Sequence, residues 1–107
     1  GRGLGIQFLR HIERTKLLVH VIDMAAVDGG DPLKSFSQLN QELAAYHPGL
    51  EQRPQLVAAN KMDLPQAQEH LARFREQVQV PLVPISCATT AGIQALVQAI
   101  WQKLQTR

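Results

Sequence analysis

A single cysteine in 107 residues leaves no room for an intrachain disulfide framework or a Cys-pair zinc site. No apolar run approaches the ~18 residues that a membrane helix needs, and the start carries no signal-peptide pattern. Charge of neither sign dominates. Eleven basic against nine acidic residues, with four His neutral, leave a net +2, too mild to mark a nucleic-acid or anionic-membrane binder. Aromatics are scarce, and seven Gly with six Pro suffice for loops but exclude collagen-like or low-complexity chains. What remains, 45% hydrophobic and 19% charged positions, suits one soluble globular domain. A lone thiol makes a reduced, intracellular compartment the default. The first residue is Gly1 rather than Met, which reads as processing or excision from something longer.

Periodicity supplies the elements. Leu4, Phe8, Leu9 and Ile12 recur at helical spacing, so Leu4–Arg14 reads as a short amphipathic helix. Leu17–Asp23 is near-continuously apolar and β-branched, the habit of a strand buried on both faces. Asp31-Pro32 then opens a helix, a carboxylate cap before a proline in the first turn, with Leu33, Phe36, Leu39, Leu43 and Tyr46 as its stripe. His47-Pro48-Gly49 ends it. Gln55–Asn60 is the second strand, Pro65 opens a third helix, and Pro81–Ser86 is the third strand. Thr90 is placed to cap a last helix with the stripe Ile93, Leu96, Val97, Ile100 and Leu104. The order is α-β-α-β-α-β-α. Both gaps between strands are long enough for helical crossovers, which predicts an open, parallel, three-stranded α/β sheet with helices on both faces. Ligands of such sheets sit beyond the carboxyl ends of the strands.

Those ends carry Asp23, then Asn60-Lys61-Met62-Asp63, then Ser86-Cys87-Ala88. An Asn-Lys-x-Asp quartet by itself arises in about one chain in a hundred of this length by chance. Its position at a strand end, with Ser-Cys-Ala at the next, makes coincidence far rarer. The residue types suit one base. Guanine offers two donors side by side, N1–H and the N2 amino group, and one carboxylate can accept both. Adenine presents an acceptor at N1 and no amine at C2, so Asp63 is suited to select guanine. Asn60 can reach the other edge of the base and tie the two loops together. The Lys61 stem can lie along the base's flat face. Ser86 can donate to Asp63 and hold its rotamer, and a backbone N–H near Cys87 can meet guanine O6.

At this point the sequence resembles the second half of the G domain of the Obg family of GTPases. The resemblance rests on Gly1-Arg2-Gly3-Leu4-Gly5, Phe8-Leu9-Arg10-His11-Ile12-Glu13-Arg14-Thr15, Asn60-Lys61-Met62-Asp63 and Pro84-Ile85-Ser86, and spans essentially all of the chain. It implies a truncated P-loop GTPase domain over residues 1–107, beginning inside the second switch region. It implies guanine binding by Asn60, Lys61, Met62, Asp63, Ser86, Cys87 and Ala88, with Cys87 standing where the family pattern leads one to expect Ala. For the parent protein it implies GTP/GDP binding, Mg2+-dependent GTP hydrolysis, a monomeric cytoplasmic state, no membrane, and ribosome assembly through the large subunit or rRNA. No Gly-x-x-x-x-Gly-Lys-Ser/Thr phosphate loop occurs in the sequence. Neither catalytic nor Mg2+-binding residues are therefore assigned, and the 107 residues alone are expected to be inactive. The alternative is a non-catalytic α/β binding module that contacts a ribosome or a protein.

Plainer readings stand beside these. Asp23 can cap the loop after its strand instead of holding a metal. His20, inside an apolar strand, reads as a hydrogen-bonded core histidine, and the four His show no metal-ligand spacing. Cys87 reads as a small buried filler, Trp101 as a packing anchor, and Arg10, Arg14 and Lys16 as a solvated basic face.

Overall fold

The structure, a computed structural model, describes residues 16–105; the helix expected over 4–14 and the basic pair Arg10 and Arg14 lie outside them. The strands are β1 (Leu18–Asp23), β2 (Gln55–Asn60) and β3 (Leu82–Pro84), and the helices α1 (Pro32–Tyr46), α2 (Ala67–Gln77) and α3 (Ile93–Gln105). A single 3-10 turn, Leu50–Gln52, follows α1. The strand order is β1-β2-β3, and both pairings are parallel.

Local chemistry sets the boundaries. Asp31 caps α1 by accepting the Leu33 N–H at 3.0 Å, and Pro32 occupies the first turn, where a missing N–H costs nothing. Its C-cap, His47, sends its N–H to the Leu43 carbonyl. Helix α2 begins two residues later than expected. Pro65 lies in a turn closed by Leu64 N–H to Lys61 O and Ala67 N–H to Leu64 O. The third strand is shorter than the expected Pro81–Ser86. Ile85 still donates to Ala59 O at 2.7 Å, but the Ser86 N–H turns away to Ala91 O.

Helices α1 and α2 share one face of the sheet. Ile22, Val57 and Ala59 on that face meet Ala67, Leu71 and Phe74 of α2, with Leu33 and Phe36 of α1 packed alongside. Phe36 stands edge-on to both Phe74 and His20, at centroid distances of 5.5 Å each. Beneath α1, Leu18, Leu43 and Leu50 form a second cluster. The opposite face is covered at β2, where Leu56 and Ala58 are buried, and α3 packs against β3. Two expectations fail here. β1 is buried on one face only, because Val19 and Val21 are 37% and 62% exposed. On α3 no residue is fully buried, and Trp101, expected as a packing anchor, is 62% exposed.

His20 is the core histidine that its apolar strand suggested. Gln55 donates to Asn40 Oδ1 and to the Glu51 carbonyl, both at 2.8 Å, which leaves its Oε1 to accept. His20 Nε2, 3.1 Å away, therefore carries the proton and donates. Every buried side-chain polar atom of the described residues is satisfied in this way. Burial lowers the His20 pKa, and the Gln55 acceptor only partly opposes that.

The sign of the linkage follows. The unfolded chain takes up the proton near the ordinary value of 6.5, while folded His20 stays neutral to lower pH. Proton uptake then favours the unfolded state. Stability is expected to be level above about pH 7 and to fall as the pH drops through 6.5. Urea denaturation at pH 7.5 and 5.5 should show a loss that shrinks in His20→Gln; an unchanged loss in that variant would refute the assignment.

Candidate functional site

Three parallel strands end at the same edge of the sheet, and the site is built there. Asp23, the last residue of β1, is paired in register with Asn60, the last of β2. The Asp23 carboxylate caps the loop behind it, as the plainer reading supposed. Oδ1 accepts Ala25 N–H at 2.9 Å and Ala26 N–H at 3.1 Å, and Oδ2 accepts Val27 N–H at 3.3 Å. Its fourth partner is not local. The Lys61 ammonium lies 3.2 Å from Oδ2. Burial pushes the Asp23 carboxyl up, yet the Lys61 hydrogen bond, the Val27 and Ala25 amides and the Lys61 charge together hold it below its ordinary value.

The quartet leaves β2 through a sharp turn. Lys61 has φ +67, a left-handed conformation that costs a non-glycine residue about 1–2 kcal/mol. Main-chain bonds on both sides hold it there. Met24 N–H donates to Asn60 O at 3.0 Å, and Met62 N–H donates to Ile85 O at 3.1 Å. The quartet is thus stapled to the ends of both neighbouring strands. Met62 packs against the core, whereas Asp63 is exposed.

The loop after β3 meets the quartet through two further bonds. Ser86 is 2% exposed; its hydroxyl donates to Asp63 Oδ1 at 2.8 Å and accepts Thr89 N–H at 3.1 Å. Cys87 N–H donates to Asn60 Oδ1 at 3.0 Å. That amide is therefore engaged, and the next one, Ala88 N–H, has no acceptor among the described residues. The Cys87 thiol is exposed rather than a buried filler, because the chain has already left the strand. Thr90 does not cap α3. It takes φ +67 and turns its hydroxyl to the Thr89 carbonyl, while Thr89 Oγ1 accepts Ala91 N–H. No group of three or more His, Cys, Asp or Glu among the described residues could hold a metal ion.

Asn60, Lys61, Asp63, Ser86, Cys87 and Ala88 are thus brought to one edge, with Met62 turned inward beneath them. The site presents an exposed carboxylate fixed by a buried hydroxyl, a lysine stem, and main-chain N–H groups. The Asp23–Lys61 pair is not legible in the sequence. Its only signal there is that an acid ends one strand and a lysine follows the end of the next.

No family model matches the chain. Among curated relatives, it is 56% identical over 108 residues to the GTPase Obg of Geobacillus kaustophilus, covering 99% of this chain and 25% of the relative. It is 56% identical over 107 residues to the GTPase Obg of Brevibacillus brevis, with the same coverage of each. To the GTPase Obg of Staphylococcus aureus it is 51% identical over 107 residues, again 25% of that protein. The chain spans about a quarter of the length of these relatives.

Gly92 is the hinge that lets the second loop close. At φ +79, an added Cβ would fall inside contact distance of the Pro84 carbonyl and 3.1 Å from Ile85 Cα. This close approach brings Ala91 O to the Ser86 N–H at 2.9 Å. Gly92→Ala should destabilise the domain by about 1–3 kcal/mol and lower the amide-exchange protection of Ser86. Denaturation and exchange measured on the same sample check this, and unchanged Ser86 protection would contradict it.

Proposed function

The chain belongs to the Obg family of GTPases, and from that premise we propose that its strand-end cluster reads the guanine base of GTP and GDP. The Ser86–Asp63 hydrogen bond carries the reading. A buried hydroxyl fixes one carboxylate oxygen and leaves the exposed side chain free to accept two donors that lie side by side. Guanine N1–H and N2 amino group are such a pair; adenine offers an acceptor in place of the first. The open amide at Ala88 supplies the donor that guanine O6 requires, because the Cys87 amide is engaged by Asn60. The Lys61 stem provides an apolar surface for the base, and Met62 holds the turn from beneath.

The same family reading extends, for the whole protein, to Mg2+-dependent GTP hydrolysis and to ribosome assembly at the large subunit or its rRNA. Family resemblance alone supports those parts. Mg2+ would compensate phosphate charge in the whole protein, and among the described residues no three or more His, Cys, Asp or Glu side chains gather into a metal site. The sequence also carries no phosphate-loop motif. The strand-end residues of this chain act on the base.

Titration of the isotope-labelled chain with GDP, XDP and ADP tests base reading. GDP should shift the amides of 60–63 and 86–88 saturably, at about millimolar affinity or weaker, since base contacts act without phosphate contacts. ADP should not. Asp63→Ala should weaken GDP by about 1.5–3 kcal/mol. Asp63→Asn should turn the preference toward XDP, because a carboxamide offers one donor and one acceptor to xanthine O2 and N1–H. Equal responses to GDP and ADP would sink the proposal, as would an unchanged GDP-over-XDP preference in Asp63→Asn.

A further inference from the structure

A charged contact joins two strand ends without touching the groups assigned to base selection. Lys61 starts one residue beyond β2, and its ammonium finishes on the Asp23 carboxylate at the end of β1, 3.2 Å from Oδ2. The lysine side chain therefore crosses the gap between the ends of two neighbouring strands. Three features favour this placement over free motion in solvent. The left-handed turn at Lys61 is held by main-chain bonds to both neighbours. The Asp23 carboxylate is itself immobilised by three amides of its own loop. The Met24 carbonyl just behind it is engaged by His70 Nδ1 of α2 at 2.7 Å, so the acceptor loop is anchored to the core.

We propose that Asp23 is a positioning residue for Lys61, holding the lysine stem as a preformed platform for the purine ring while leaving base selection to Asp63. This rests on the guanine-reading proposal above. A long side chain that is already ordered loses less rotamer freedom when a base settles on it. The pair is partly exposed, at 42% and 32% for the two side chains, so its effect is modest: about two- to fivefold in affinity, the range of partly exposed ion pairs. Because the platform acts on the ring face, loss of the Asp23 carboxylate should weaken GDP and XDP alike. Asp63 should change their ratio.

The test is a double-mutant cycle of Asp23→Asn and Lys61→Met in the full chain, read by GDP titration. Asp23→Asn retains an oxygen for the Ala25 and Ala26 amides, so the loop keeps two of its three cap bonds while the Val27 bond and the ion pair at Oδ2 are lost. Expected are an approximately two- to fivefold weaker GDP affinity in Asp23→Asn, no further loss when it is added to Lys61→Met, and the same factor for XDP in an Asp63→Asn background. Without nucleotide, Asp23→Asn should also increase the mobility of the Lys61 side chain in NMR relaxation. Additive losses in the cycle would overturn the proposal and mark Asp23 as a loop cap only. Unchanged Lys61 mobility would overturn it too, whatever the nucleotide data show. Failure of the guanine reading looks different: Asp63→Asn would leave base preference unmoved while the mobility change at Lys61 persisted.

Discussion

Strand β2 is buried along nearly its whole length, with Leu56, Val57, Ala58 and Ala59 excluded from solvent, and its main-chain groups have no water to turn to. They must be paired on both sides, and parallel pairing with β1 and β3 is how the chain achieves this. That requirement fixes much else. It places the carboxyl ends of three strands at one edge, puts Asp23 beside Asn60, and brings the loop after β3 within reach of Asp63. The small side chains of Ala58 and Ala59 let the covering layers approach closely. The polar turn that follows can then start from a rigid base.

Rigidity passes from that strand into the turn through the main chain. Bonds from Met24 to Asn60 and from Met62 to Ile85 continue the ladder past the last paired residues, and they stabilise a left-handed lysine against its intrinsic cost. Met62, packed inward, and Asp63, turned outward, divide the work of anchoring and presenting. The two side-chain bridges, Ser86 to Asp63 and Cys87 to Asn60, then join loops 27 residues apart or less in sequence into one surface. A carboxylate held in this way loses little freedom when it meets a ligand, which is the physical basis of preorganisation.

The polar network inside the core has a different character. His20, Gln55, Asn40 and the Glu51 carbonyl link β1, β2, α1 and the 3-10 turn through bonds of 2.8–3.1 Å. Each donor there has a defined acceptor, so the network tolerates burial and disfavours a shifted register, in which Gln55 would face the opposite side of the sheet. The neutral form of His20 is part of that fit. Its proton is held where a second one is resisted, and this ties core packing to pH at the end of the sheet opposite the candidate site.

Periodicity and capping chemistry, which are local, are legible in the residues themselves. Asp31-Pro32 announces α1, Gln55–Asn60 announces β2, and the polar clusters after the strands mark the edge where a site would form. The quartet and Ser86 can be grouped from the order of the elements, because α/β topology brings strand ends together. Properties that depend on which surfaces meet cannot be read in this way. The apolar run of β1 looks buried on both faces, but only packing decides that Val19 and Val21 are exposed. The stripe of α3 looks like a core face, yet Val97 and Leu104 on it are exposed. Cys87 looks like a filler, and a strand that stops at Pro84 exposes it. The Asp23–Lys61 contact spans 38 residues and requires the parallel register to exist. Sequence determined the elements because backbone and side-chain preferences act within a few residues; tertiary structure alone decided burial and long-range pairing, because those depend on surfaces supplied by distant parts of the chain.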